Sequence, residues 1–147
     1  MTSIGNPREY FADHPVAGPA YPAFHKASAT AILIGIVFYG FRGLETGGGY
    51  LTLEAKFGLA LLGLALLLSY RALMRSTTMI DVDGVAQTSM GKRTCEWSDI
   101  LGVRVTRQPF GARMAVRTRN GRVTIYHAAN EELSAAFDLL SRHYPPA

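Results

Sequence analysis

Two apolar runs occupy the first half of the chain, and they restrict its fold more than any other feature. From Ala27 to Phe41 there is no charged side chain. Fifteen residues are too few to cross roughly 30 Å of hydrocarbon, which needs about 20. The flanks extend the run: Pro22 suits the first turn of a helix, where its missing N–H is not needed. Pro22 to Leu44 would then span about 34 Å at 1.5 Å per residue. Tyr21 and Phe24 fall at one interface and Phe38, Tyr39 and Phe41 toward the other, while Lys26 and Arg42 can snorkel into headgroups. Three glycines, Gly47 to Gly49, lose too much backbone entropy to continue the helix. The second run carries seven leucines between Phe57 and Tyr70. At about 0.3–0.6 kcal/mol each, they favour insertion by roughly 2–4 kcal/mol. Thr52 is a natural N-cap for this second helix.

Neither run has a polar stripe, and a helix apolar all round requires lipid or a large core. Too few residues remain to build such a core, so a transmembrane hairpin is expected over 22–75, with spans at about 22–44 and 52–75. Small residues four apart, Ala31 with Gly35 and Ala65 with Ser69, would allow close helix approach. The loop between the spans holds Glu45 and Glu54 and no Lys or Arg, whereas Lys26 precedes the hairpin and Arg71 and Arg75 follow the second run. The positive-inside rule then places both termini in the cytoplasm. Residues 1–21 are polar and Pro-spaced, and they read as an extended cytoplasmic tail. They do not read as a secretory leader, which would open on a basic patch running straight into apolar residues.

After Arg75 the pattern alternates. "TTMIDV", "DG" and "VAQTSM" form a hairpin turning at Asp83-Gly84, and Gly91-Lys92 turns into "RTCEW". "GVRVTRQ" sets Val103 and Val105 against Arg104 and Thr106. "RMAVRT" buries Met114 and Val116, and Asn120-Gly121 is the strongest turn signal present. "RVTIYHA" is expected to turn Val123 and Ile125 inward and Tyr126 outward. "NEELSAAFDLLSRHY" then takes helical spacing, capped by Asn130, with Leu133, Phe137, Leu140 and Tyr144 as its apolar stripe. Residues 76–147 thus read as six or so locally joined strands and a closing amphipathic helix that covers the core and one open edge.

These residues carry a resemblance. "TMIDVDGV", the stretch with Trp97, Asp99, Ile100 and Val103, "RTRNGRVTIYH" and "ELSAAFDLL" resemble bacterial pleckstrin-homology-like domains found behind one or two membrane helices. The resemblance covers about Ser76 to Tyr144. It implies an α+β membrane protein: a two-helix transmembrane hairpin followed by a PH-like antiparallel β-barrel or sandwich capped by a C-terminal helix. It also implies a bacterial inner (cytoplasmic) membrane location. It says little of activity, since the fold hosts many functions. In such a domain Trp97 would be a structural peg packed with Ile100, Val103 and Phe137 beneath the helix. The alternative is an interfacial Trp dipping toward headgroups.

Chemical motifs are sparse. Gly91-Lys92 is followed by Arg93, not Ser or Thr, so it is no P-loop. "DVDG" lacks the remaining ligands of a calcium loop. His14, His25, His127 and His143 show no metal-ligand spacing, and one cysteine, Cys95, excludes an internal disulfide. Ser98, Asp99 and His127 can be grouped on paper, but no elbow or oxyanion motif supports a hydrolase. No catalytic, cofactor or metal residue is therefore assigned. Net charge is +4, suited to an anionic membrane surface and too weak for nucleic acid. Arg104, Arg107, Arg113, Arg117, Arg119 and Arg122 cluster on neighbouring strands and turns. They form either a solvated face or a surface for lipid or an acidic partner. Asp81 and Asp83 make the first hairpin turn acidic, which argues against phosphoinositide specificity.

Two functions follow as expectations. One is a non-catalytic, membrane-anchored scaffold docking on a larger membrane-protein complex, an accessory subunit of a respiratory or photosynthetic assembly being one concrete form. Tyr10 and Phe11 of the tail would then lie along the partner. The other is a lipid- or ligand-responsive sensor at the inner face of the membrane.

Overall fold

A computed structural model describes residues 5–47, 52–89 and 91–145. The chain divides into two compact units, one made of Met1–Ala23 with Arg75–Ala147 and the other of Phe24–Met74.

The second unit is the helical hairpin. Helix α2 runs Ala23–Gly47 and α3 Leu53–Met74; neither buries any residue. Both are long and apolar enough to cross a membrane. Their Ile, Leu and Phe side chains stand exposed on all sides, the surface that lipid, not water, tolerates. Thr52 caps α3 as expected, accepting from Ala55 N–H at 3.3 Å. Gly48, Gly49 and Tyr50, where the sequence ends the first helix, lie outside the described residues. The helices are tied at one end. Lys26 Nζ donates to Met74 O at 3.1 Å, a cation on the negative C-terminus of α3. Thr30 Oγ1 donates to Lys26 O, so it accepts from the Tyr70 hydroxyl at 2.9 Å. Gly35 faces open space and Ser69 bonds Ala65 O of its own helix. The small residues are therefore not used to bring α2 and α3 together.

The first unit holds the main departure from the sequence reading. Where residues 1–21 are expected to be an extended tail, the described part, 5–21, is folded into the domain. Asn6 caps a short helix, α1 (Pro7–Asp13), and strand β1 (Val16–Pro19) follows. β1 pairs antiparallel with β2 (Thr77–Ile80), Val16 against Ile80 and Pro19 against Thr77. The helical hairpin is therefore an insertion between two partner strands of one sheet. A fifteen-residue amphipathic window is absent here, so periodicity carried no signal for either element. Their stability comes from tertiary burial, chiefly of Phe11 and Val16.

Sheet one has the order β1-β2-β3-β4, with β3 Gly84–Thr88 and β4 Lys92–Glu96. A 3-10 turn, Trp97–Asp99, leads to sheet two, β5 (Ile100–Gln108), β6 (Gly111–Thr118) and β7 (Val123–Ala128). The two sheets do not close into a barrel. Side chains bridge them instead: Gln87 Oε1 accepts from His127 N–H at 3.0 Å and Thr78 Oγ1 donates to His127 O at 2.6 Å. Both buried polar residues thereby satisfy an edge of β7 that no strand pairs. Asp83-Gly84 makes the first hairpin turn: Asp81 Oδ1 accepts from the N–H groups of Asp83 and Gly84. Gly84 has φ 144°, and a Cβ there would collide with the carbonyl oxygen of Cys95.

Helix α4 (Glu131–His143) is capped by Asn130, whose side chain accepts from Leu133 N–H at 3.2 Å. It buries Leu133, Ala136, Phe137 and Leu140 against Ile80, Val85, Val103, Met114, Val116 and Phe11. Its end also protects an edge: Val103 N–H on β5 donates to Tyr144 O. One strand is in the opposite phase to that expected. Met114 pairs with Tyr126, so both face inward; Tyr126 and Ala128 are buried and Val123 is 60% exposed. The ring of Tyr126 supplies more apolar area than Val123, and that outweighs its hydroxyl.

Candidate interaction surfaces

Trp97 sits where α1 meets the first hairpin turn. Its indole Nε1–H is shared between Asp81 O and Val82 O, each at 3.1 Å. Its ring stacks on Phe11, centroids 5.7 Å apart and planes 7° apart. It is partly buried and packs against the core cluster that contains Ile100, Val103 and Phe137. Its ring partner comes from α1, a segment the sequence reading had left outside the domain. Phe11 is 0% exposed, so it is not a tail residue available to a partner. Tyr10 is exposed and packs on Phe11 and His14.

Beside Trp97 an open cleft of about 460 Å³ lies on the outer side of the first sheet. Met79, Ala86 and Thr94 share a row at its floor. Its rim alternates in charge: Asp81, Asp83 and Glu96 stand with Arg8 and Lys92. Sequence spacing does not announce it, because Arg8 arrives from α1, Asp81 and Asp83 from the first hairpin turn, and Lys92 and Glu96 from β4.

The six arginines separate into three groups. Pairing of β5 with β6 and of β6 with β7 puts Arg104, Arg113 and Arg117 on the outer face of the second sheet, with Thr106, Ala115, Val123, Ile125 and His127. That face has no carboxylate. Arg107 has the opposite parity and forms an ion pair with Asp138 of α4. Arg119 and Arg122 belong to the β6–β7 turn, whose backbone is fixed by Arg119 N–H to Asp99 O and Thr118 N–H to Arg122 O. The expected cluster is thus a face of three, a turn of two and one paired residue.

No group of three or more His, Cys, Asp or Glu residues is arranged to hold a metal among the described residues. Cys95 is buried, and burial raises its thiol pKa, with Asp99 and Glu96 adding to the shift. That is the reverse of what an activated thiolate needs. Burial likewise raises the Tyr126 phenol, whose hydroxyl is enclosed without a hydrogen-bond partner.

No protein family matches the chain, and neither do curated proteins or solved structures.

Proposed function

We propose that this protein is a non-catalytic, membrane-anchored interaction module whose domain docks on a larger membrane-protein complex. The observation that carries this reading is the insertion of the helical hairpin between β1 and β2. Ala20 N–H bonds Ser76 O at 3.1 Å, so only Tyr21, Pro22 and Arg75 separate the sheet from the two helices. Both ends of the insertion return to paired positions of one sheet, so the domain and its anchor are joined by two chain crossings, as suits an anchored docking module. Pairing of Val16–Pro19 with Thr77–Ile80 supports a reading in which the segments before and after the two helices share one side of the membrane. The Lys and Arg distribution favours the cytoplasmic side, and the resemblance implies that the membrane is a bacterial inner membrane.

Two antiparallel sheets closed by a C-terminal helix are compatible with the pleckstrin-homology-like resemblance of residues 76–144, although β1 is contributed from outside that stretch. The mixed-charge cleft beside Trp97 is the docking surface this reading favours. An accessory role in a respiratory or photosynthetic assembly is one form it would take. Purification of the tagged full-length chain in a mild detergent tests the proposal. A defined complex that is lost on Asp81→Lys/Glu96→Lys substitution is expected. A lone chain recovered from gently solubilised native membranes would refute it.

A further inference from the structure

The β5–β6 hairpin ends in a two-residue turn, Pro109-Phe110, since Gln108 pairs with Gly111. Phe110 stands at this tip with its side chain 55% exposed. The first row behind the tip on the outer face is Thr106–Arg113–His127. His127 packs on Tyr21, ring centroids 5.2 Å apart. Tyr21 stands two residues before Ala23, the first residue of α2. The hairpin tip and its first arginine therefore lie at the end of the domain where the chain passes into the first apolar helix. Pro19 O, accepting from Ala129 N–H just beyond β7, belongs to the same end.

Further rows follow at about 7 Å intervals, two residues of strand each. Arg104, Ala115 and Ile125 form the second, and Gly102, Arg117 and Val123 the third. None contains a carboxylate. Glu131 and Glu132, at the start of α4, lie near this same end but on the opposite face of the sheet, which α4 covers. The outer face thus offers cations only, graded with distance from Tyr21. An anionic bilayer surface attracts basic side chains within about one screening length, roughly 8 Å at physiological salt. Arg113 and Arg104 fall within that length of the first row, and Arg117 lies beyond it. Aromatic rings flanked by cations are the side chains that settle at the headgroup boundary.

We propose that this end of the domain is a second, monotopic membrane contact: Phe110 enters the headgroup boundary, and Arg113, Arg104 and, more weakly, Arg117 bind anionic lipid headgroups. The proposal rests on α2 and α3 spanning the bilayer and is independent of the docking partner.

The test uses the full chain in nanodiscs made with phosphatidylglycerol or with phosphatidylcholine alone. A spin label is placed at Phe110→Cys in a Cys95→Ser background, with Ser98→Cys, exposed at the far end of the domain, as control. Collision with oxygen and with a water-soluble nickel chelate reports depth. Oxygen-dominated relaxation at position 110 in phosphatidylglycerol is expected, nickel-dominated relaxation at 98. Substituting Gln should shift the 110 label toward nickel, most for Arg113, then Arg104, least for Arg117. Hydrogen exchange of residues 107–113 in the unmodified chain gives a second reading, with slowing in phosphatidylglycerol only. A nickel-accessible 110 label with unslowed exchange in phosphatidylglycerol would overturn the proposal. So would a label that becomes sequestered only when a co-purified protein is added, which assigns the tip to a protein contact. Failure of the chain to incorporate into nanodiscs at all would instead sink the transmembrane reading beneath it.

Discussion

Phe11→Ala is the sharpest test of the fold, because it strikes a residue in the segment that sequence patterning assigns to a tail. Phe11 is fully buried in the cluster shared by both sheets and α4. Truncating a buried Phe costs about 3–5 kcal/mol in transfer and cavity energy. The offset stack on Trp97 contributes roughly 0.5–1.5 kcal/mol of aromatic contact, part of it already inside the first figure. For a domain of about 100 residues, each kcal/mol moves the midpoint by roughly 4–8 °C, so a fall of at least about 12 °C is expected. Against a typical domain stability of about 5–15 kcal/mol, that is a large share.

The chain supplies its own probe. Trp97 is the one tryptophan, and its ring lies on Phe11. Selective excitation of Trp97 during a thermal scan of the detergent-solubilised chain therefore reports the altered contact and global unfolding together. A red-shifted emission at low temperature with a lowered midpoint is expected. Phe11→Leu, which restores most of the apolar area without the stack, should recover over half of the loss. An unchanged midpoint and unchanged emission in Phe11→Ala would show that α1 is not part of the domain. The insertion topology would lose its main packing support with it.

Gly18→Ala should destabilise by about 1–3 kcal/mol through overpacking: a Cβ would stand 2.6 Å from Asn130 Nδ2 and 2.7 Å from Leu133 Cδ1, disturbing the cap of α4. A denaturant midpoint equal to wild type would contradict β1 lying beneath that helix end. Tyr126→Phe removes a buried hydroxyl that lacks a partner, and should leave stability unchanged or raise it by about 1 kcal/mol; a clear loss would reveal a bond to the hydroxyl. Both Cys95 and Tyr126 have raised folded pKa values, so their contributions are complete below the ordinary values of 9.0 and 10.0 and are lost as pH climbs toward the folded ones. The thermal midpoint should therefore be insensitive to these groups up to about pH 9 and decline above it, with Cys95→Ser removing the first part of the decline. Residues 76–147 expressed alone should fail to give a native near-ultraviolet spectrum, whereas residues 5–21 joined to 76–145 by a short Gly/Ser loop should give one.

The sequence was most informative where burial imposes a period or where lipid imposes a length. The hairpin was legible from two charge-poor runs, Thr52 as a cap and the flanking cations. Asn130, Leu133, Phe137 and Leu140 announced α4 because one helical face must be apolar. Asp83-Gly84 and Asn120-Gly121 announced turns through the backbone freedom of glycine. What escaped is local structure stabilised only by distant partners. Four residues, Val16–Pro19, cannot display a period, and the last is a proline, tolerated because β1 is an edge strand. Phe11 is a single apolar residue in a polar setting, and its partner Trp97 lies 86 positions away in the chain. The phase of β7 was lost because Val123, Ile125 and Tyr126 are all plausible inward residues, and only pairing with Met114 decides. The arginine face was visible as a cluster, yet its division depended on register: Arg107 is one residue out of step with Arg104 and joins Asp138.

The insertion topology also links membrane integration to folding of the domain. Pro19 and Thr77 are partners in one sheet although nearly 60 residues separate them. Closing a flexible loop of that length costs entropy that grows as 1.5RT times the logarithm of its length. The bonds from Lys26 to Met74 and from Thr30 to Tyr70 close the hairpin at the end from which both strands depart. Once they form, the effective loop falls to about eight residues, and the saving is a little under about 2 kcal/mol. β1 and α1 leave the ribosome first but cannot be paired or buried until β2 and Trp97 exist. During that interval Phe11 and the edge of β1 stay uncovered. Insertion of the two spans before completion of the sheet therefore both shortens the search and limits that exposure. In the full chain the pairing of β1 with β2 therefore follows the pairing of the two helices, whereas a short loop that brings Pro19 to Thr77 directly should serve the sheet equally well.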